Sequence, residues 1–302
     1  MPHRPLAIQL GWTLRDYAKR VWDNSGEDNI FFLAGGIAFN ILLAIVPFVL
    51  LLVSGTAYLL NQSEESSIAE VYAVVDRLLP PNPTTGESPV HQLLGDIISA
   101  RGPVGLYSAI GFVWFSTRLF GSLRTVLADV FDIEQDRGIV AGKLFDIKVT
   151  VFSTLLIAAY TALSAYLAVA TTRGVSVLAR AGLRDEVMGQ IEYTFGRLIA
   201  FAFITLMFWA LYKFLPNRRV RPQTALVAAL FTSLLFELAK NLFTSYVRSF
   251  NPGSLYTGTL AAIVIIVSWV YYAALIFILG GEVAQVYELR RVRRMQREAF
   301  EE

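Results

Sequence analysis

Six apolar stretches, each long enough to cross a bilayer, constrain this chain more than anything else in it: Phe31–Leu60, Val104–Leu123, Val149–Ala170, Thr194–Leu215, Thr224–Val247 and Thr259–Val283. A spanning helix needs about 20 mostly apolar residues, because the hydrocarbon core is about 30 Å thick and a helix rises about 1.5 Å per residue. None of the stretches alternates apolar and polar residues with a period of two, which argues against a transmembrane β-barrel. Only 17% of the residues are charged and the mean hydropathy is +0.53. A soluble domain carries about 25% charged residues. The expected fold is all-α: a polytopic membrane bundle of six transmembrane helices, with short amphipathic helices at the interfaces.

Some of these stretches carry ionisable residues at depth. Glu237 and Lys240 lie inside Thr224–Val247, and Arg118 lies inside Val104–Leu123. A charge near a bilayer centre costs about 2.5–3.5 kcal/mol on insertion scales, so such residues face a protein interior or a wet cavity. Glu237 and Lys240 are three apart and share a helix face. They can neutralise each other, so a packing role competes with a substrate role. Arg118 has no acid at helical spacing in its own stretch, and its partner must come from elsewhere or from a ligand. Glu282 closes the sixth stretch after Gly280-Gly281 and can pair with Arg118 across the bundle, with Asn40 in reach. Arg118, Glu237, Lys240, Glu282 and Asn40 are therefore the candidate substrate-binding residues. Arginine matches phosphate or carboxylate bidentately, which points to an anionic ligand.

Basic residues set the expected topology, since cytoplasmic loops carry an excess of Lys and Arg near helix ends. They crowd the segment before the first stretch (Arg15, Lys19, Arg20), the connection after the second (Arg124, Arg137, Lys143, Lys148), the turn after the fourth (Lys213, Arg218, Arg219, Arg221) and the tail from Arg290 to Arg297. The other loops hold fewer. Both termini are thus expected in the cytoplasm, without a cleavable signal. Three parts follow: a cytoplasmic amphipathic segment over 1–30, a six-helix membrane domain over 31–285, and a basic cytoplasmic tail over 286–302. Leu10, Leu14, Tyr17 and Val21 predict a basic amphipathic helix along the membrane face. Residues 61–103 read as an outer cap of two amphipathic helices split by Pro80-Pro81-Asn82-Pro83, or as helices lying on the lipid surface. Gly174–Gln190 reads as a further interfacial helix. Ala34, Gly35, Gly36 and Ala38 offer a small face for helix contact, and Pro47 is expected to kink the first span.

Catalytic signatures are missing. The chain has no cysteine, and its two histidines, His3 and His91, are far apart. It holds no phosphate-binding loop, dinucleotide fingerprint or HExxH motif. Asp129, Asp132, Glu134 and Asp136 form a dense acidic patch, but between basic residues at a span end they read as a solvated loop. No catalytic residue, metal or cofactor is expected.

Several runs nevertheless resemble one family. Leu33–Pro47, LAGGIAFNILLAIVP, is similar to the first-span signature of the YihY/BrkB family, and Trp114-Phe115-Ser116-Thr117-Arg118 to its second. Leu211–Asn217, Phe236–Lys240, Tyr256-Thr257-Gly258, Trp269-Val270-Tyr271 and Gly280-Gly281-Glu282 extend the likeness over about residues 10–290. The resemblance implies a six-span bacterial inner-membrane protein. Its members have been linked to serum resistance and, in one branch, to export of a lipid A precursor. An old ribonuclease label does not fit these residues. The resulting expectation is a transporter or flippase of an anionic or lipid-like substrate, with membrane lipids and no nucleic acid as partners. The alternatives are a non-transporting scaffold for envelope assembly and, last, a ribonuclease.

Overall fold

A computed structural model describes residues 6–60, 104–133, 138, 140–153, 155, 185–250 and 259–301, and all regular secondary structure among them is α-helical. The helices are α1 (Leu6–Glu27), α2 (Ile30–Leu60), α3 (Val104–Val130), α4 (140–153), α5 (Asp185–Phe214), α6 (Pro222–Phe250) and α7 (Thr259–Glu301).

Local chemistry explains where the helices stop. α1 and α2 meet at an angle of 67°. Between them Asn29 adopts a left-handed φ of 49°, a conformation that asparagine tolerates better than most residues. α3 ends in the same way at Asp132, with φ 50°. The Ile133 amide reaches back to the Ala128 carbonyl at 2.8 Å, the six-to-one bond of a Schellman ending. Pro222 opens α6 at a position where its missing N–H costs nothing. α2 continues as helix through Pro47, so the sharp bend in this part of the chain is at the α1–α2 joint.

α7 is the axis of the fold and packs against α1, α2, α3 and α6, while α5 packs on α6 and α3 on α2. The shared core takes Ala34, Ile37 and Ala38 from α2; Leu123, Leu127 and Val130 from α3; Ala225, Ala228 and Ala229 from α6; and Ala274, Phe277 and Ile278 from α7. These recur three or four residues apart, as one face of each helix must. The approach is closest at Gly280. A Cβ there would run into the Thr232 hydroxyl and the Tyr212 hydroxyl. Tyr212 is fully buried, donates to the Phe277 carbonyl at 2.6 Å and shares a 2.8 Å bond with Thr232. Of the small residues in α2, Ala34 and Ala38 are buried, whereas Gly35 and Gly36 face open space.

The outward faces are apolar. Phe32, Phe39, Leu198, Leu234 and Leu242 are all more exposed than buried. Water would penalise such a surface, whereas lipid does not. Among the described residues, the windows Arg197–Phe214, Pro222–Tyr246 and Ile263–Phe300 are long and apolar enough to cross a membrane, and a fourth span results if the bent α1–α2 pair counts as one. The stretch Val104–Leu123 lies within α3, which also carries Arg118, Arg124 and Asp129. Most of Val149–Ala170, the outer cap at 61–103 and the 251–258 loop lie outside the described residues. One expectation changes. Residues 185–190 are not part of a separate interfacial helix but the first turns of the continuous α5. The basic tail is the end of α7, a single helix of 43 residues, about 65 Å at the usual rise.

Candidate functional site

Two polar places stand out, and the five expected site residues are divided rather than gathered. The first is a groove of about 620 Å³ between α3 and α4. Ile110, Val113, Trp114, Thr117 and Arg118 line it from α3, and Lys143 and Ile147 from α4. The α3 residues fall at i, i+3, i+4, i+7 and i+8, so one helical face supplies them all. The two α4 residues are one turn apart. Arg118 lies over the Trp114 ring, its guanidinium carbon 5.7 Å from the centroid. That contact is worth about 0.5–1 kcal/mol at an exposed site. Lys143 Nζ is 3.5 Å from the Thr117 hydroxyl, and Thr117 donates to the Trp114 carbonyl at 2.8 Å. Among the described residues neither cation has a carboxylate partner. The expected Arg118–Glu282 pair is not formed, because α3 turns Arg118 outward into this groove while Glu282 is fully buried.

Just below the groove the same two helices are locked together. Arg124 of α3 lies 3.6 Å from Asp146 of α4, with side-chain exposures of 12% and 2%. Gly142 makes room for the guanidinium, since a Cβ there would meet Arg124 Nη1 at 2.7 Å.

The second place is the α1–α2 joint. Asn24 donates to the Gln285 side chain at 3.0 Å, and Gln285 donates to Asp132 at 2.7 Å, tying α1, α7 and the end of α3 together. Glu282, one turn before Gln285, has no surface exposure, and among the described residues neither of its carboxyl oxygens has a hydrogen-bond partner. Asp28 and Asn24 stand beside it. Burial pushes the Asp28 carboxyl above the usual carboxylate range. The Asp132, Asp129 and Glu27 charges push the same way, and the contact with Glu282 opposes them. Asp129 and Asp132 are exposed as expected, but Asp129 belongs to the last turn of α3 rather than to a loop, and Asp132 also anchors Gln285. Glu134 and Asp136 lie outside the described residues.

Glu237 and Lys240 pair as their spacing predicts, at 2.7 Å. Arg197 of α5 also reaches Glu237, at 3.3 Å, so this cluster joins α5 to α6. Asn40 uses its amide on the Gly36 carbonyl of its own helix, at 2.8 Å. The expected single polar region containing Arg118, Glu237, Lys240 and Glu282 is thus replaced by three separate local arrangements. Sequence reading missed Lys143 as a groove residue, and it missed Asp28, Asn24 and Gln285 altogether. The i, i+4 spacing of Lys143 and Ile147 was visible, but the facing helix was not. No spacing rule links Asp28 to Glu282.

A smaller apolar cleft of about 290 Å³ lies between α4 and α5, lined by Phe145, Phe152, Met207, Phe214 and others, with Lys148 at its edge. Among the described residues no group of three or more His, Cys, Asp or Glu is placed to hold a metal ion.

The family described as virulence factor BrkB matches residues 21–301. A membrane protein designated UPF0761 from Cronobacter sakazakii is 26% identical over 300 residues, covering 99% of this chain and 98% of that protein. A second UPF0761 membrane protein, from Pseudoalteromonas atlantica, is 25% identical, covering 87% of this chain and 83% of its own length. A Bacillus subtilis protein named putative ribonuclease-like protein YfkH is 24% identical over 84% of this chain and 89% of its own. No solved structure matches.

Proposed function

The chain belongs to the virulence factor BrkB family of membrane proteins, and from that premise we propose that it moves an anionic, lipid-like substrate, taking its headgroup in the α3–α4 groove. The observation that carries this reading is the composition of the groove. Two cations without carboxylate partners among the described residues, Arg118 and Lys143, sit over a wall of Ile110, Val113, Trp114 and Ile147. An anionic headgroup supplies the missing charge, and the apolar wall accepts the start of an acyl chain. In the low dielectric beside lipid, a cation attracts an anion more strongly than it does in water. Arg118 gives bidentate hydrogen bonds to a phosphate, and Lys143 adds a point charge. Glu237, Lys240 and Asn40 lie outside this groove and position helices, because each has its partner within the protein.

The topology proposed with this reading has six spans and both termini in the cytoplasm of an inner membrane, as the basic residues require. The chain has no cysteine, so a single cysteine at Ser88 reports its side cleanly. Labelling by an impermeant reagent in spheroplasts is expected there; labelling only from the cytoplasmic face reverses the topology. No nuclease chemistry is assigned, and tRNA is expected to stay intact with purified protein and Mg²⁺.

Purified protein in vesicles, with fluorescent phosphatidylglycerol or phosphatidylcholine as probe, tests the function. The anionic probe is expected to cross leaflets faster than the zwitterionic one, and Arg118→Gln with Lys143→Gln to abolish the difference while the fold persists. Binding of the anionic lipid without any transfer favours the scaffold reading. Unchanged transfer in the double variant removes the groove from the mechanism.

A further inference from the structure

Glu282 is one of the four candidate residues that the groove does not use, and its surroundings are unusual. It has no exposed surface, and both its oxygens are buried without a hydrogen-bond partner among the described residues. A buried carboxylate left that way is costly, because no donor replaces the water it gave up. The group beside it is another carboxyl, that of Asp28 at the α1–α2 joint. The charged groups that act on the two from the packed elements are Glu27 of α1 and Asp129 and Asp132 at the end of α3. All three are acidic. The neutral neighbours are Asn24 and Gln285; Asn24 gives one amide hydrogen to Gln285 and Gln285 gives one to Asp132, and the second amide hydrogen of Asn24 is the neutral donor beside Glu282. Arg218 stacks on the Phe131 ring at 5.5 Å and makes no ion pair with either acid.

We propose that Asp28 and Glu282 form a proton-binding site, with one proton held between the two carboxyls. Two neighbouring carboxyls, Glu282 fully buried and Asp28 half-buried, cannot both ionise without a large cost. One proton removes that repulsion. It also supplies the missing donor, since a carboxylic acid gives its O–H to the neighbouring carboxylate, a short and strong charge-assisted bond. The burial that raises the Asp28 carboxyl acts in the same direction. Metal is the weaker occupant, because no third acid converges on the pair as a ligand among the described residues.

The position gives the proton a mechanical consequence. Asp28 lies in the break where α1 and α2 turn through 67°, and Glu282 lies on α7, the axis of the fold. With the proton present, the joint is bonded to α7. When it leaves, two like charges face each other across the joint, which is driven away from α7. The site rests on the burial of Glu282, its unpartnered oxygens and the Asp28 carboxyl beside it, and it does not depend on the groove's substrate.

Infrared difference spectroscopy on the purified full-length protein tests the site without any transport assay. Between acid and alkaline pH, one carboxylic-acid carbonyl band per chain is expected to disappear as the pH rises, and to shift in heavy water. Glu282→Gln and Asp28→Asn are each expected to remove that band. Asp28→Asn keeps an amide donor for Glu282, so it decides the matter if Glu282→Gln does not fold. No titrating band in the wild type overturns the proposal. So does a band that survives Asp28→Asn, or one that appears only when sodium or calcium is removed, which would make the occupant a cation.

Discussion

Gly280→Ala adds one methyl group at the tightest contact between α7, α5 and α6, and its effect follows from what the methyl meets. The new Cβ overlaps the hydroxyls of Thr232 and Tyr212. Neither is the loose end of a flexible side chain. Tyr212 is held by its bond to the Phe277 carbonyl at 2.6 Å and by stacking on the Phe277 ring at 4.9 Å, and Thr232 is held by Tyr212 at 2.8 Å. Relief requires breaking the Tyr212–Thr232 bond, about 0.6 kcal/mol on average for such bonds within membranes. It also requires shifting a stacked aromatic pair, worth about 0.5–1.5 kcal/mol. Overpacking of a tight core costs about 1–3 kcal/mol by direct comparison. Replacing glycine by alanine in a helix returns up to about 1 kcal/mol. The net expectation is a destabilisation of about 1–2 kcal/mol, roughly a tenfold change in the folding equilibrium. Thermal unfolding in detergent reads this as a lowered midpoint. Thr232→Ala removes one of the two obstructing atoms, so the double variant is expected to be less destabilised than the two single variants added together. Gly35→Ala, where nothing lies within 4 Å of the new Cβ, is the control and is expected to be neutral or stabilising. A Gly280→Ala protein as stable as wild type, or strict additivity with Thr232→Ala, refutes the reasoning.

Asp16, held by Arg20 and Arg290, has its carboxyl below the usual range. The anchoring of α1 on α7 that it provides is therefore present above the ordinary carboxylate pKa and lost as the pH falls; hydrogen exchange of α1 amides should accelerate in acid, and Asp16→Asn should show that acceleration at neutral pH. Asp28 titrates with the opposite sign, since its raised carboxyl gives stability at low pH that fades as the pH rises. Arg124→Met strands the charge of Asp146 beside α3 and is expected to cost about 3–5 kcal/mol, with most of it recovered when Asp146→Leu is added; a double variant no better than the single one contradicts the assignment. Lys240→Gln leaves Glu237 with Arg197 and should lower stability by no more than about 1 kcal/mol, with anionic-lipid transfer unchanged; loss of transfer would return Lys240 to the substrate path.

The helices themselves were legible from the chain, because a run of about 20 apolar residues has few ways to satisfy its backbone in lipid other than helix. The Glu237–Lys240 pair was legible for a similar reason: three residues of helix put both side chains on one face without help from any other element. The amphipathic α1 followed from its own periodicity. Nothing local, however, could say where Arg118 points. Its burial and partner depend on how α3 is rotated against α2 and α4, and that rotation is set by Leu123, Leu127, Val130 and the Arg124–Asp146 lock together. The same holds for Glu282. From the sequence it was one acid after two glycines, equally suited to pairing with Arg118. Its actual neighbour, Asp28, is more than 250 residues away and is brought beside it by the left-handed turn at Asn29. Composition and period fix which residues are helical and which are charged at depth. Only the packing of the helices decides which charges meet, because that depends on the rotation of each helix about its own axis, a quantity to which every core contact contributes and which no single segment encodes.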